Sequence, residues 1–381
     1  MSRHGGLDRV GLPRERVDMT LLAAVAAISS LGTVMVYSAT KAKLALEGQN
    51  PHALFQRQVV WVFLGILVMF AVTFVDYRVL RDFSALAYVG IVGVLLLVIT
   101  PFGSSSKGAQ AWFDLGPFRF QPSELAKVVL IVVLASYCHE HRGDMDAWRL
   151  AVALGLAGVP LGLILLQPDL GTGLVLAVIL FAVLLVAGTR GRHLAVLALC
   201  AVTAFAALWW TGALAEHQVD RLTSFLDQAG KDQSEDAKAA VFNLRQSKIA
   251  IGAGGVVGKG WGKGTQTSLA WVPEQHTDFI FTAVGEELGF LGAATLLALF
   301  AVVVWRTWVT AQIAKDLFGM LVCIGVLAMF AFQIFENIGM TMGIMPITGI
   351  PLPFMSYGGS SALASFASVG LVLNVAMRRY T

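Results

Sequence analysis

The chain has 381 residues, of which 57% are hydrophobic and 13% charged, with a formal net charge of +3. An ordinary soluble domain carries about 25% charged residues, so this much apolar surface cannot be hidden inside one water-soluble core. So small a net charge gives no indication of a nucleic-acid partner, and the cations are read for topology instead. Several apolar runs exceed the roughly 20 residues needed to cross a bilayer, which predicts an all-α polytopic membrane protein.

Residues 1–17 are Arg-rich and precede an apolar run too long for a signal peptide, so they are expected to be a tail before a retained first anchor. About ten transmembrane helices are predicted, at 18–39, 58–75, 82–100, 123–139, 149–166, 170–188, 193–212, 279–304, 317–345 and 358–377. No internal repeat interrupts them, so 18–377 is expected to be a single membrane domain, followed by a short tail at 378–381. Cations alternate between the connections. Arg78, Arg81, Arg142, Arg149, Arg190, Arg192, Arg306, Lys315, Arg378 and Arg379 fall on the same side as the N-terminal arginines. The positive-inside rule then places both termini in the cytoplasm and the 213–278 loop outside. Within that loop Ala237–Ala253 has a helical pattern that Gly252–Gly255 would end. Gly254–Gly264 reads as a flexible cationic segment. Cys138, Cys200 and Cys323 lie in or beside apolar segments, with no disulfide or metal-binding spacing.

Ionisable residues inside membrane segments are costly and by default mark function. Here they gather at the outward ends of the predicted spans. Glu124 and Lys127 are three apart on one helix face, and Asp169 follows Pro168. Asp278 stands at the seam between the long loop and the eighth span, with Glu286 and Glu287 two turns on and Glu336 in the ninth span. Each has a structural alternative. Asp169 and Asp278 are suited to cap helices, Glu124 to start one, Lys127 to snorkel, and Glu286 and Glu287 to satisfy buried contacts. Trp112 is either a site residue or an interfacial anchor. The connection Pro346–Ser361 holds three prolines and three glycines, an irregular backbone tolerated at membrane depth only where it is buried or lines a polar cavity. Ser356, Ser360 and Ser361 there, with the free N–H groups of the following helix, suit an anion; a re-entrant structural turn is the alternative.

Four motifs carry a resemblance to the SEDS family (shape, elongation, division and sporulation proteins). They are Gln121–Lys127, Gln167–Thr172, Pro273–Phe281 with Gly285–Gly289, and Gly349–Ser361. Gln246–Gly252 with Gly258–Trp261 resembles the elongation branch more than the division branch. One departure is Ala111, where the family often has Arg before the loop tryptophan, here Trp112. The resemblance implies a peptidoglycan glycosyltransferase that polymerises lipid II on the outer face of the bacterial cytoplasmic membrane. It also implies a class B penicillin-binding protein as transpeptidase partner, within the elongation machinery. Asp278 matches the family's most essential residue, and Glu124 and Lys127 match functionally important positions.

The expected chemistry is attack by a sugar hydroxyl of one lipid-linked unit on the anomeric carbon of another, with inversion. Lipid pyrophosphate leaves as a stable anion, so one base suffices, unlike the carboxylate pair of a glycosidase. Asp278 is the expected base, or a metal-holding carboxylate beside it. Lys127, Arg221, Lys248 and Arg57 are candidates to hold the pyrophosphate, and Glu124 to orient Lys127 or share a divalent cation, Mg²⁺ or Mn²⁺. No organic cofactor is expected. The lipid tails should lie in grooves between spans, so substrate enters sideways from the membrane. Two rival readings remain open: a lipid II flippase, and a non-catalytic scaffold for the transpeptidase.

Overall fold

The computed structural model describes residues 17–106, 109–114, 116, 119–142, 145–210, 219 and 235–378. All ten predicted apolar segments are helices: α1 (Met19–Leu46), α2 (Ala53–Phe74), α4 (Ser84–Ile99), α5 (Pro122–Glu140), α6 (Ala147–Leu166), α7 (Leu170–Val186), α8 (Gly191–Trp210), α11 (Ile280–Gln312), α12 (Leu317–Met342) and α13 (Gly359–Met377). Shorter helices fall between them, α3 (Tyr77–Asp82), α9 (Glu235–Ala253) and α10 (Thr265–Ser268). Seven of the helices are long and apolar enough to cross a membrane, and α4, α7 and the Gly191–Thr203 part of α8 are shorter apolar helices. The chain is an integral membrane protein.

The caps follow from local chemistry. Asp18, Asp76, Asp146, Asp169 and Asp316 each sit just before a helix and accept a backbone N–H from its first turn. Pro122 opens α5, where its missing N–H costs nothing. Gly343, in the left-handed region, closes α12.

Helices α5, α12 and α13 are mostly buried and form the centre, whereas α2 and α6 are peripheral. Val59, Val60, Phe63, Leu67 and Phe70 on α2 are exposed, as side chains facing lipid should be. Helix α13 packs along α2 at close range. A Cβ built on Gly65 would come within 2.3 Å of the Phe366 ring, so a small residue sets that separation. The turns that join α4 to α5, α6 to α7 and α12 to α13 share one end of the bundle with the start of α11. At the other end Arg306 Nε donates to Asp18 (2.7 Å) and Tyr77 Oη to Asp316 (2.9 Å).

Two features depart from the sequence reading. The turn between α4 and α5 carries a three-stranded antiparallel sheet, β1 (Ser104–Ser106), β2 (Ala109–Asp114) and β3 (Arg119–Phe120), in the order β1-β2-β3. The glycine-rich segment is no free loop. It is hydrogen-bonded into a break in α11 at Gly289 (φ 66°, ψ −163°). Lys259 N and Gly260 N donate to the Glu286 and Glu287 carbonyls, each at 3.0 Å. In return Phe290 N and Leu291 N donate to the carbonyls of Gly255 (2.9 Å) and Val256 (3.0 Å). The break frees two carbonyls and two N–H groups of the helix, and the segment satisfies all four. Gly258 (φ 79°) makes this possible, since a Cβ there would lie 2.2 Å from the Glu287 oxygen.

Candidate functional site

Asp278 closes a tight turn that precedes α11. Glu274, in the left-handed region at φ 52°, turns its carbonyl to collect the N–H groups of Thr277 (3.2 Å), Asp278 (3.1 Å) and Phe279 (3.4 Å). Such a conformation is uncommon in a residue with a side chain and is held only by its surroundings. Gln275 supplies part of that hold, donating from Nε2 to Thr267 Oγ1 and Thr282 Oγ1, both at 3.0 Å. The N-cap of α11 is Phe279, which makes no side-chain capping bond. Asp278 therefore stands one residue before the cap position, half-buried.

Three consecutive carbonyls of this turn are taken by donors from other elements. His276 O accepts from Tyr357 N (2.8 Å), Thr277 O from Ser356 Oγ (2.5 Å) and Asp278 O from Asn337 Nδ2 (2.8 Å). The irregular 346–358 segment is thus clamped to the Asp278 turn. Ser356 Oγ also accepts Leu352 N (2.8 Å), which engages the hydroxyl on both sides.

The head of α5 is joined to the same assembly. Gln121 N donates to Ser360 Oγ in the first turn of α13 (2.9 Å), and Gln121 Nε2 to Asp169 Oδ2 (3.3 Å). Asp169 caps α7 through Thr172 N (3.0 Å) and also accepts from Thr172 Oγ1 (2.8 Å) and Ser123 Oγ (3.4 Å). Its carboxylate is both cap and bridge. One turn into α5, Lys127 Nζ donates to Glu124 Oε1 at 2.8 Å. The pair is sealed, with Glu124 3% and Lys127 1% exposed.

Glu286 and Glu287 are fully buried at the helix break. Glu286 accepts from Gln266 N (2.8 Å), Thr267 N (3.0 Å), Thr267 Oγ1 (2.8 Å) and Lys259 Nζ (2.9 Å). Glu287 accepts from Ser38 Oγ (2.7 Å) and Gly262 N (3.0 Å). Both carboxylates organise the glycine-rich segment, as the structural alternative for them required. Glu336 accepts from Thr348 Oγ1 at 2.7 Å.

The family model for FtsW/RodA/SpoVE cell cycle proteins matches residues 19–381. The chain belongs to the FtsW/RodA/SpoVE family. It is 36% identical over 361 residues to stage V sporulation protein E of Bacillus subtilis, covering 94% of this chain and 96% of that one. It is 35% identical over 364 residues to peptidoglycan glycosyltransferase MrdB of Escherichia coli K12, covering 95% and 94% respectively. Among solved structures, it matches the rod shape determining protein RodA of Thermus thermophilus with a TM-score of 0.71, at 33% identity, over 96% of this chain and 98% of that one. A chain of a peptidoglycan synthase complex, studied for how polymerisation and crosslinking are coordinated, matches with a TM-score of 0.80 at 34% identity, over 96% and 99%.

In this FtsW/RodA/SpoVE protein, then, the motifs of 121–127, 167–172, 273–281 and 349–361 converge through the bonds above. Other candidates stand apart. Arg57 is exposed on α2, whereas its neighbour Gln58 is buried and donates to Ser356 O (3.4 Å). Trp112 is half-buried on β2, beside a fully buried Ala111. Lys248 is exposed on α9, its Nζ 3.5 Å from where a Cβ on Gly343 would lie. Arg221 lies outside the described residues. An apolar hollow of about 360 Å³, lined by Val34, Tyr37, His52, Phe55 and Trp261, sits beside the α1–α2 turn, and no acidic candidate lines it.

Sequence reasoning gives no role to Asn337, Gln121 or Gln58, because among polar groups in and beside the spans it weighs the ionisable ones and the serines but not the neutral amides. Their signal is a neutral amide within or at the edge of an apolar run. Among the described residues no three His, Cys, Asp or Glu side chains form a metal-ligating group. Glu124 is already committed to Lys127.

Proposed function

We propose that this chain is a peptidoglycan glycosyltransferase that polymerises lipid II during cell elongation, with Asp278 as general base. The activity is drawn from relatives that carry that name, among them MrdB of Escherichia coli. The elongation role follows the likeness to RodA of Thermus thermophilus. The observation that carries the assignment of Asp278 is the clamp on its backbone. Three successive carbonyls are held by two other segments, while the carboxylate stands outside the helix cap. A base must be placed within hydrogen-bond reach of the proton it takes, and a fixed backbone beneath a half-buried carboxylate supplies that placement.

In the reaction the Asp278 carboxylate accepts the proton of the attacking sugar hydroxyl as its oxygen bonds to the anomeric carbon. The bond from that carbon to the pyrophosphate breaks on the opposite face, and the lipid pyrophosphate departs as an anion. Cations suit the growing charge on the diphosphate, and Arg57, Lys248 and Arg221 are assigned to it on their place in the sequence alone. Lys127 is sealed in an ion pair with Glu124, so it acts on the diphosphate through the wall of the bundle and not by the direct contact expected from the sequence. A divalent cation would be held by Asp278 as the alternative to its role as base, and would supply positive charge for the departing diphosphate, since Mg²⁺ is ordinarily bound by one or two carboxylates together with substrate phosphates. The site faces outward from the cytoplasmic membrane. A class B penicillin-binding protein supplies the transpeptidase, in keeping with the likeness to a chain of a peptidoglycan synthase complex.

The test is polymerisation of lipid II by the purified protein over a titration of Mg²⁺ and Mn²⁺, beside Asp278→Asn. Loss of a general base slows the reaction by about 10²- to 10⁴-fold. Parental activity in Asp278→Asn refutes the base. A folded protein that moves lipid II between leaflets without polymerising it establishes the flippase. A protein in which Asp278, Glu124 and Lys127 are all replaceable, provided the complex with the transpeptidase forms, is the scaffold.

A further inference from the structure

Asn337 is fully buried within α12, in a stretch of otherwise apolar sequence that also holds Gln333 and Glu336. Its Nδ2 uses both hydrogens, donating to Asp278 O and to Ile350 O, each at 2.8 Å. A planar amide NH₂ joins two acceptors on separate segments at once. Leucine of similar size joins neither, and aspartate would set a carboxylate against two carbonyl oxygens. The two segments joined are the ones that build the site, the Asp278 turn and the 346–358 connection.

The Asp278 carbonyl is available for this because the helix does not claim it. Thr282 N, the group that would close an α-turn on Asp278 O, donates to Phe279 O instead (2.9 Å). Next along α12, Glu336 takes Thr348 Oγ1, two residues before Ile350, so adjacent side chains grip the connection at two points. Packing alone does not account for this pair. Asn337 Oδ1 and Glu336 Oε2 are buried without a hydrogen-bond partner, and an unmet buried acceptor is costly. An apolar side chain would remove that cost and lose the crosslink.

We infer that Asn337 is a positioning residue for the reaction. Its amide fixes the peptide plane that follows Asp278, and with it the direction in which the Asp278 side chain leaves the backbone. The inference rests on the reading of Asp278 as base.

The experiment is a double-mutant cycle on lipid II polymerisation, comparing the parental protein, Asn337→Ala, Asp278→Asn and the combination. Misplacing a catalytic group by about 1 Å costs roughly 10²-fold in rate. Asn337→Ala should therefore lose roughly 10²-fold in kcat, with its lipid II dependence unchanged. In the Asp278→Asn background the same substitution should cost nothing further, because residues acting as a unit are not additive. Asn337→Ser, which keeps one donor, should recover part of the loss, and it carries the same cycle where the alanine variant does not fold. A loss of equal factor in both backgrounds marks a merely structural amide and overturns the inference. So does parental kcat in Asn337→Ala beside a slow Asp278→Asn. Parental activity in Asp278→Asn instead refutes the base itself.

Discussion

Replacing Lys127 by methionine keeps most of the side-chain volume and removes the charge that faces Glu124 at 2.8 Å. Glu124 is 3% exposed and would be left as a buried carboxylate with neither water nor cation. Breaking a buried pair by removing one partner costs about 3–5 kcal/mol, whereas replacing both by neutral groups of similar volume is often neutral or stabilising. Lys127→Met should therefore lower the unfolding midpoint of the purified protein sharply, and Glu124→Gln combined with Lys127→Met should restore it. Activity should not follow stability. If the ammonium also supports the diphosphate, the double variant will be as stable as the parent yet need a higher lipid II concentration for half-maximal polymerisation. Initial rates across a lipid II titration, read beside unfolding in the same detergent, separate the two. A double variant with parental rate and parental lipid II dependence refutes a substrate role for the pair. A Lys127→Met variant as stable as the parent refutes the burial argument.

Gly258→Ala places a Cβ 2.2 Å from Glu287 O at a left-handed backbone position. The conformational penalty of about 1–2 kcal/mol and the overpacking penalty of about 1–3 kcal/mol should add to a clear loss in thermal unfolding. Gly252→Ala on α9, where a Cβ meets nothing within 4 Å, should be neutral or better. Glu286→Gln replaces an acceptor-only group bonded by four donors with an amide that turns hydrogens toward some of them. Faster amide hydrogen exchange across residues 254–264 is expected, and exchange at the parental rate refutes the role given to that carboxylate.

What can be read from the chain alone follows from rules that act locally. Twenty or so apolar residues leave no choice but a helix in a membrane, because hydrocarbon offers no partner to the backbone; every predicted span is accordingly a helix. An acidic residue before a helix caps it, as Asp18 and Asp169 do. Helical spacing by itself brings Glu124 and Lys127 to one face of α5, within reach of each other. The family motifs are legible for the same reason, being short and contiguous.

The tertiary structure alone decided what depends on groups far apart in sequence. Gly254–Gly264 has the composition of a loose loop and becomes ordered only because a break in α11, some thirty residues later, presents bare carbonyls and N–H groups to it. Asp278 resembles a cap, and whether it caps depends on where the helix begins, which the turn at Glu274 and the clamp from 346–358 determine together. Asn337 reads in the sequence as an incidental amide in an apolar span. Its partners are 59 residues before it and 13 after it, and no periodicity in the chain encodes that meeting. Hydrophobic pattern and capping are set by neighbours within a turn or two, whereas a buried polar crosslink exists only once packing has brought its two acceptors to the same donor.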